Sequence, residues 1–308
     1  MESLSSPSFS LHPYSLVGSN IYFARDPEKC IIPEMPELPE VETISSTLRR
    51  GVQAVPIGGM QVLDVTSSWP RHFSQPSYRT FRKHIRGRTI QDVRRRGKYL
   101  LFPLDERTML IHLRMSGDLT MKPARLPAGR YDHTVFHLED GWNLCFSDAR
   151  KFGRVHLLKD PQKILGKLGP EPLDDEFTPG LFLAMLNGRN RQIKPLLLDQ
   201  TFIAGIGNIY ADEALHRAGI HPLRKSDTLG ENETRALWAS IRETLHDGIQ
   251  RNGASIDWVY RGGEFQNDFK VYSRKDEPCL TCSNPIRRIS VGQRGTYFCP
   301  SCQPEVLK

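Results

Sequence analysis

Four of the six cysteines fall as two Cys-x2-Cys pairs, Cys279/Cys282 and Cys299/Cys302, with 16 residues between the pairs. Each pair can turn two thiolates toward one ion, and two such knuckles close a tetrahedron with Zn–S of about 2.3 Å. Four protein ligands leave no open coordination position, which makes the expected zinc structural and not catalytic. A redox dithiol is the weaker reading, because two matched pairs are present. Between the knuckles lie Arg287-Arg288 and Gly292-Gln293-Arg294-Gly295, so a metal-pinned hairpin would carry cations to a groove. A second stretch with chemical potential is Met35-Pro36-Glu37-Leu38-Pro39-Glu40-Val41-Glu42, which holds two prolines and three glutamates. A third is Gly205-Ile206-Gly207-Asn208, a glycine turn into a helix, where backbone N–H groups bind phosphate well. Taken singly, each has a plain alternative. Pro36-Glu37 can be a helix lead-in, Lys98 one more solvated charge, and Phe152 in Asp148-Ala149-Arg150-Lys151-Phe152-Gly153 a turn residue folded onto the core.

The elements that would position these residues are readable in part. Pro39 suits a first helical turn, Val41, Ile44 and Leu48 form one apolar stripe, and Gly51 can end the helix. Residues 57–158 read mostly as strands, among them Tyr99 to Phe102, Met109 to Leu113, Thr134 to Leu138, Asn143 to Phe146 and Val155 to Leu158. Asp140-Gly141 marks a tight hairpin turn. A Pro/Gly/Asp-rich linker covers 166–179, and helices follow, one from Ile209 to Ala218 and one reaching Asn252 behind a Thr228/Glu231 capping box. Leu237, Ile241, Leu245 and Ile249 lie along one side of that helix.

Length and charge narrow the class. The chain has 308 residues, a net charge of +7, a pI near 9.1 and a mean hydropathy of −0.45. No run approaches the roughly 18 apolar residues of a membrane span. Between Arg71 and Lys98 stand ten Lys/Arg against one acid, Asp92, a balance that favours a polyanionic partner. Cysteines at metal spacing suit a reducing compartment, so a cytoplasmic location is expected. Residues 1–34 are rich in Ser and Pro, show no sustained period and lack a basic n-region, which argues against a signal peptide.

The word Met-Pro-Glu-Leu-Pro-Glu-Val-Glu at 35–42 resembles the amino terminus of bacterial formamidopyrimidine-DNA glycosylases. Four further motifs follow in that family's order and spacing: His112-Leu113-Arg114-Met115-Ser116-Gly117, the Asp148–Gly153 segment, the turn at Gly205–Asn208, and the four-cysteine module. The resemblance implies an α+β protein. Its parts would be a catalytic β-sandwich domain with flanking helices (35–165), a linker (166–179), a helix–two-turn–helix domain (180–270) and a zinc finger (271–308). It implies excision of oxidised purines such as 8-oxoguanine and formamidopyrimidines from double-stranded DNA. Cleavage of the abasic site by β- and then δ-elimination would follow, by a monomer with no membrane association. No nucleotide cofactor or catalytic metal is implied, only one structural zinc ion.

By the same resemblance Pro36 is the nucleophile once Met35 is removed, because a free α-amine, with a pKa near 8, is partly unprotonated at neutral pH. An internal proline nitrogen is an amide and cannot attack. Residues 1–34 are therefore either an added extension or upstream sequence reached by an early start codon, and only the second leaves Pro36 a free amine. Glu37 corresponds to the proton donor that opens the sugar ring, Lys98 to the proton donor in β-elimination, and Arg294 to that in δ-elimination. Met115, Arg150 and Phe152 match the residues that enter the base stack, while Tyr131 and Asn208 match DNA contacts. Asn190 stands where a cation contacts the backbone, and Ala149 and Lys151 depart mildly from the usual Pro-Arg-Arg-Phe-Gly. The segment from Gly262 to Tyr272 matches the loop over the extruded base. Two alternatives remain: a non-catalytic zinc-containing DNA-binding protein, if Pro36 is not terminal, and a glycosylase for oxidised pyrimidines.

Overall fold

The computed structural model describes residues 35–255 and 262–305. Helix α1 (Leu38–Arg50) starts behind Glu37, whose side chain and that of Glu40 cap each other's backbone N–H groups. Pro39 sits in its first turn, and Gly51, at φ 102°, ends it by donating its N–H to the Thr47 carbonyl. The stripe Val41, Ile44 and Leu48 is buried as its spacing predicts.

Ten strands follow, interrupted by helix α2 (Tyr78–Ile85). They are β1 (Gln61–Ser67), β2 (Phe73–Gln75), β3 (Arg88–Thr89), β4 (Arg94–Arg96), β5 (Tyr99–Pro103), β6 (Thr108–His112), β7 (Gly117–Pro123), β8 (Asp132–Leu138), β9 (Trp142–Asp148) and β10 (Arg154–Leu158). They form two five-stranded sheets, ordered β3-β1-β8-β9-β7 and β2-β10-β6-β5-β4. Val65, Phe136 and Phe146 from the first sheet share one core with Phe102, Ile111 and Val155 from the second. The architecture is therefore a sandwich. Asp140 and Gly141 both adopt positive φ, 54° and 73°, the pairing that a tight β8–β9 turn requires. Helix α2, read above as part of a strand region, has only Tyr78, Phe81 and Ile85 facing inward among cations, a stripe too sparse to stand out.

The helical part comprises α3 (Gln162–Leu165), α4 (Pro179–Leu186), α5 (Ile193–Leu197), α6 (Asn208–Arg217) and α7 (Glu231–Gln250). The expected capping box of α7 is displaced by two residues. Gly230 is the N-cap and donates its N–H to Glu233 at 2.9 Å, because Ser226–Thr228 is spent on a separate short turn. Leu38 belongs to the core of this helical part, with Ile206, Tyr210 and Leu245, so α1 bridges both cores. Strands β11 (Arg287–Val291) and β12 (Arg294–Phe298) form the terminal hairpin. Among the described residues, no helix is long and apolar enough to cross a membrane.

Candidate active site and nucleic-acid interface

Three distant segments meet at the start of α1. The Glu37 carboxylate is buried and accepts the Gly207 N–H at 2.7 Å and the Ile209 N–H at 3.0 Å, so it caps α6 as well as its own helix. That arrangement places a carboxylate at the positive end of α6. Leu38 donates its N–H to the Gly205 carbonyl at 3.0 Å. A Cβ built on Gly97 would touch Ala204 at 3.4 Å and come within 3.7 Å of the Gly205 nitrogen. The β4–β5 turn that carries buried Lys98 thus lies against the same glycine turn as Glu37 and Leu38. Pro36 itself is buried.

Asn208 and Arg294 approach through the finger. The Asn208 side-chain amide donates to the Gly295 carbonyl at 3.1 Å, and Arg294, next in the chain, is exposed. The hairpin is anchored by a fully buried ion pair, Lys194 to Asp212 at 2.6 Å. Lys194 also donates to Thr296 Oγ1 at 2.8 Å, and Asp212 accepts the Tyr297 N–H at 2.9 Å. Neither Lys194 nor Asp212 stood out in the sequence, since each reads alone as an ordinary helix charge.

Glu40 was likewise missed as a site residue. It is buried and accepts from Tyr210 Oη at 2.7 Å, Ala254 N at 2.7 Å and Glu37 N at 2.8 Å. Burial raises its pKa, with those hydrogen bonds opposing. It fastens α1 to α6 and to Ala254 beyond the end of α7, and residues 256–261 lie outside those described. In the segment from Gly263, Phe265, Phe269, Val271 and Tyr272 are buried.

The basic tract behaves differently from its charge count. Arg95 and Arg96 bind the buried Glu171 at 2.5 and 2.8 Å, Arg95 also binds Glu42 at 2.8 Å, and Arg94 binds Asp92 at 2.8 Å. Glu171 accepts the Gly97 N–H as well, so the linker's Gly-Pro-Glu-Pro holds the Lys98 turn in place. Arg95 and Arg96 are therefore structural cations, and counting these two as phosphate neutralisers overstates the charge available to DNA, whereas the Arg94 side chain stays 66% exposed.

Met115 is half-buried, and Arg150 and Phe152 are exposed at a loop tip, with the Arg150 guanidinium 5.0 Å from the Phe152 ring centroid. Tyr131 is exposed beside this loop and its carbonyl accepts the Asp148 N–H at 2.9 Å. Asn190 is exposed between α4 and α5. His112, at the end of β6, accepts the Arg114 N–H through Nδ1 at 3.0 Å. Burial, reinforced by Arg114, Lys98 and His156, drives its pKa down to about 3, so it is neutral at working pH.

Cys279, Cys282, Cys299 and Cys302 place their sulfurs within 4.8 Å of one another, as a tetrahedral thiolate set around one ion requires. They hold one structural zinc ion, and His216 Nε2 of α6 lies 3.6 Å from Cys279 Sγ. Cys145 is outside this set. It is buried in β9, where desolvation pushes its thiol up to about 11, and Cys30 lies outside the described residues.

Family models cover most of the chain. A formamidopyrimidine-DNA glycosylase N-terminal domain matches residues 35–155, a formamidopyrimidine-DNA glycosylase H2TH domain matches 168–259, and a zinc finger found in FPG and IleRS matches 276–304. The chain is 44% identical over 279 residues to the formamidopyrimidine-DNA glycosylase of Symbiobacterium thermophilum, covering 88% of this chain and 90% of the relative. It is 41% identical over 278 residues to that of Bacillus subtilis, covering 87% and 99%. Among solved structures it is similar to Lactococcus lactis FPG (MutM) in complex with a Fapy-dG containing DNA, at 36% identity and a TM-score of 0.80. That likeness covers 87% of this chain and 100% of the other. A complex of Lactococcus lactis Fpg with abasic-site DNA agrees equally well, at 36% identity and a TM-score of 0.80, over the same shares of the two chains.

Proposed function

Because the chain belongs to the formamidopyrimidine-DNA glycosylase family, we propose that it removes oxidised purines from duplex DNA and cuts the resulting abasic site, as a step of base-excision repair. Fapy-dG and abasic-site DNA, named for the Lactococcus lactis complexes, are the substrates we assign. The observation that carries the reading is the double capping by Glu37. One carboxylate beside Pro36 is held by the start of α6, the glycine turn leading into that helix lies against the Lys98 turn, and Asn208 of the same helix holds the strand of Arg294.

On this reading Met35 is removed and the Pro36 amine attacks the sugar C1′. The base departs with its bonding pair and takes up the proton released from the Pro36 nitrogen, and Glu37 protonates the ring oxygen as the C1′–O4′ bond breaks, which leaves an iminium between Pro36 and C1′. The iminium acidifies the C2′ protons. Loss of one breaks the C3′–O bond, with Lys98 as proton donor, and the second elimination breaks C5′–O with Arg294 in that role. A base inside the stack cannot be reached, so the nucleotide is flipped. Met115, Arg150 and Phe152 occupy the space it leaves, and Tyr131, Asn190 and Asn208 contact the strand. Zinc supplies the finger's folded shape and takes no part in the bond changes. The enzyme works as a cytoplasmic monomer.

The test is borohydride trapping on lesion-containing duplex, with peptide mapping of the adduct. Protein begun at Met35 is expected to lose its Met and cross-link through Pro36, while protein begun at Met1 and left unprocessed forms no adduct there. A cross-link from the unprocessed chain that maps to Lys98 or another lysine overturns the assignment of Pro36. Absence of any adduct from either form supports the DNA-binding reading. Oxidised pyrimidines belong in the same assay, since wild-type Lactococcus lactis FPG is described in complex with an oxidised pyrimidine containing DNA.

A further inference from the structure

Two loops carry the residues assigned to the base stack. The first, residues 113–116, joins β6 to β7. Arg114 adopts φ 58°, and Gly117 donates its N–H to the Leu113 carbonyl at 3.0 Å. A Cβ at Gly117 would fall 2.3 Å from the Leu113 carbonyl oxygen, so the turn closes only on glycine. The second, residues 149–153, joins β9 to β10, with Lys151 at φ 63°. Here Gly153 is required, because a Cβ would fall 2.3 Å from the Phe146 ring.

Between the loops lies a buried pair, Ser116 at the end of the first loop and Asp148 at the end of β9, brought together by the β7–β9 register that sets Gly117 opposite Asp148. Ser116 Oγ donates to Asp148 Oδ1 at 2.6 Å and accepts the Arg150 N–H at 2.9 Å. The direction is fixed, since an amide N–H can only donate and the hydroxyl's one proton then goes to the carboxylate. Asp148 Oδ2 accepts the Gly153 N–H at 2.7 Å and lies 3.3 Å from Nε2 of buried His72. The far side of His72 reaches Thr134 Oγ1 at 3.0 Å. One hydroxyl therefore touches the loop of Met115, by being the next residue, and the loop of Arg150 and Phe152, by hydrogen bond. One carboxylate spans the base of the second loop at both ends.

We propose that Ser116 and Asp148 are positioning residues that register Met115 against Arg150 and Phe152, so that the three side chains enter the base stack as one unit. This rests on the reading of those three residues as the stack-entering set. Each loop tip is exposed and has a left-handed non-glycine residue, so neither fixes its own height over the DNA. The buried bridge supplies a common reference. Removing the Ser116 hydroxyl leaves a buried carboxylate oxygen and the Arg150 N–H without that partner, and the two loops then move independently.

The experiment compares Ser116→Ala and Ser116→Thr with the parent enzyme. The readouts are single-turnover excision from lesion duplex, cleavage of a preformed abasic site, and fluorescence of 2-aminopurine placed beside the lesion. Ser116→Ala is expected to slow excision about tenfold, the loss of one hydrogen bond to a charged group. It should also diminish the fluorescence rise on binding, while abasic-site cleavage changes far less. Ser116→Thr, which keeps the hydroxyl, restores both. In a Met115→Ala background Ser116→Ala adds little further loss, because the partner to be registered is gone. Unchanged excision and fluorescence in Ser116→Ala, equal losses on both substrates, or losses that multiply in the double variant overturn the proposal. If the alanine variant does not fold, Ser116→Cys, a weaker donor at the same place, gives the same comparison. Should Met115→Ala and Arg150→Ala alone lower abasic-site cleavage as much as excision, the stack-entering reading fails and not the bridge.

Discussion

Gly207→Ala isolates the contact between Glu37 and α6 better than any change to Glu37 itself. Gly207 is the N-cap of α6 at φ −130° and ψ −159°, extended backbone that alanine adopts without strain. The cost is steric. The new Cβ would lie 2.3 Å from Glu37 Cδ, 2.5 Å from Oε1 and 2.7 Å from Oε2, so the carboxylate group must retreat by about 1 Å to reach ordinary contact. Retreat lengthens the hydrogen bonds from Gly207 N and Ile209 N together. Bonds of this charged kind contribute about 1.5–3 kcal/mol each, so α6 is expected to lose about 3 kcal/mol of support. A catalytic group displaced by about 1 Å typically costs about 100-fold in rate. Single-turnover excision from an 8-oxoguanine duplex should therefore fall about 100-fold. Cleavage of a preformed abasic site, whose base has already left, should fall less. Circular dichroism and duplex affinity serve as controls for folding. Excision within a few-fold of the parent, in a variant that is folded and binds DNA, would refute the claim that α6 sets the position of Glu37.

Lys194→Met keeps the side-chain length but leaves Asp212 buried without its cation, so urea unfolding should show a loss of about 3–5 kcal/mol. Lys194→Met combined with Asp212→Leu should recover much of it, and a single variant as stable as the parent would refute the pairing. Cys299→Ser, or removal of zinc by a chelator, is expected to abolish duplex binding while the β-sandwich stays folded, because so small a module draws its folding free energy from the metal. Undiminished lesion binding by the chelated protein would place the finger outside the site. His112 predicts a pH dependence. With a folded pKa of about 3 against an ordinary 6.5, the unfolded chain binds the extra proton between those values. The folded state therefore loses up to about 1.4 kcal/mol of stability per pH unit on acidification below about 6.5. His112→Asn, which keeps an acceptor for the Arg114 N–H, should flatten that part of the urea midpoint against pH, and an unchanged slope would refute it.

What could be read in the sequence was what announces itself locally. Pro39, Gly51 and the 41/44/48 stripe define α1, the Asp140-Gly141 turn fixes the β8–β9 hairpin, and the cysteine spacing fixes the metal site. What could not be read were side chains whose partners lie far along the chain. Glu171 looked like punctuation in a linker, yet it binds two arginines some 75 residues away. Arg95 and Arg96 looked like DNA-facing charge for the same reason, because opposite charges distant in sequence do not appear in a local charge count. Ser116 and Asp148 stood inside recognised motifs but carried no visible task, since only the β7–β9 register brings them together.

Helix α6 shows the limit most clearly. Every residue from Asn208 to His216 is buried, so no polar face marks its orientation and the usual amphipathic signal is missing. Its polar side chains are nevertheless all engaged with separate parts of the molecule. Asn208 reaches Gly295, Tyr210 reaches Glu40, Asp212 reaches Lys194 and Tyr297, and Glu213 accepts the N–H groups of Lys270, Val271 and Tyr272. His216 approaches Cys279 at the metal site. Ten helical residues span about 15 Å, so the carboxylate of Glu37 at one end and the zinc thiolates near the other are linked by one rigid element. A metal with no part in the chemistry is thereby tied to the position of the groups that have one. Loosening the finger frees Gly295 from Asn208 and Tyr297 from Asp212, in the N-terminal half of the helix that Glu37 caps.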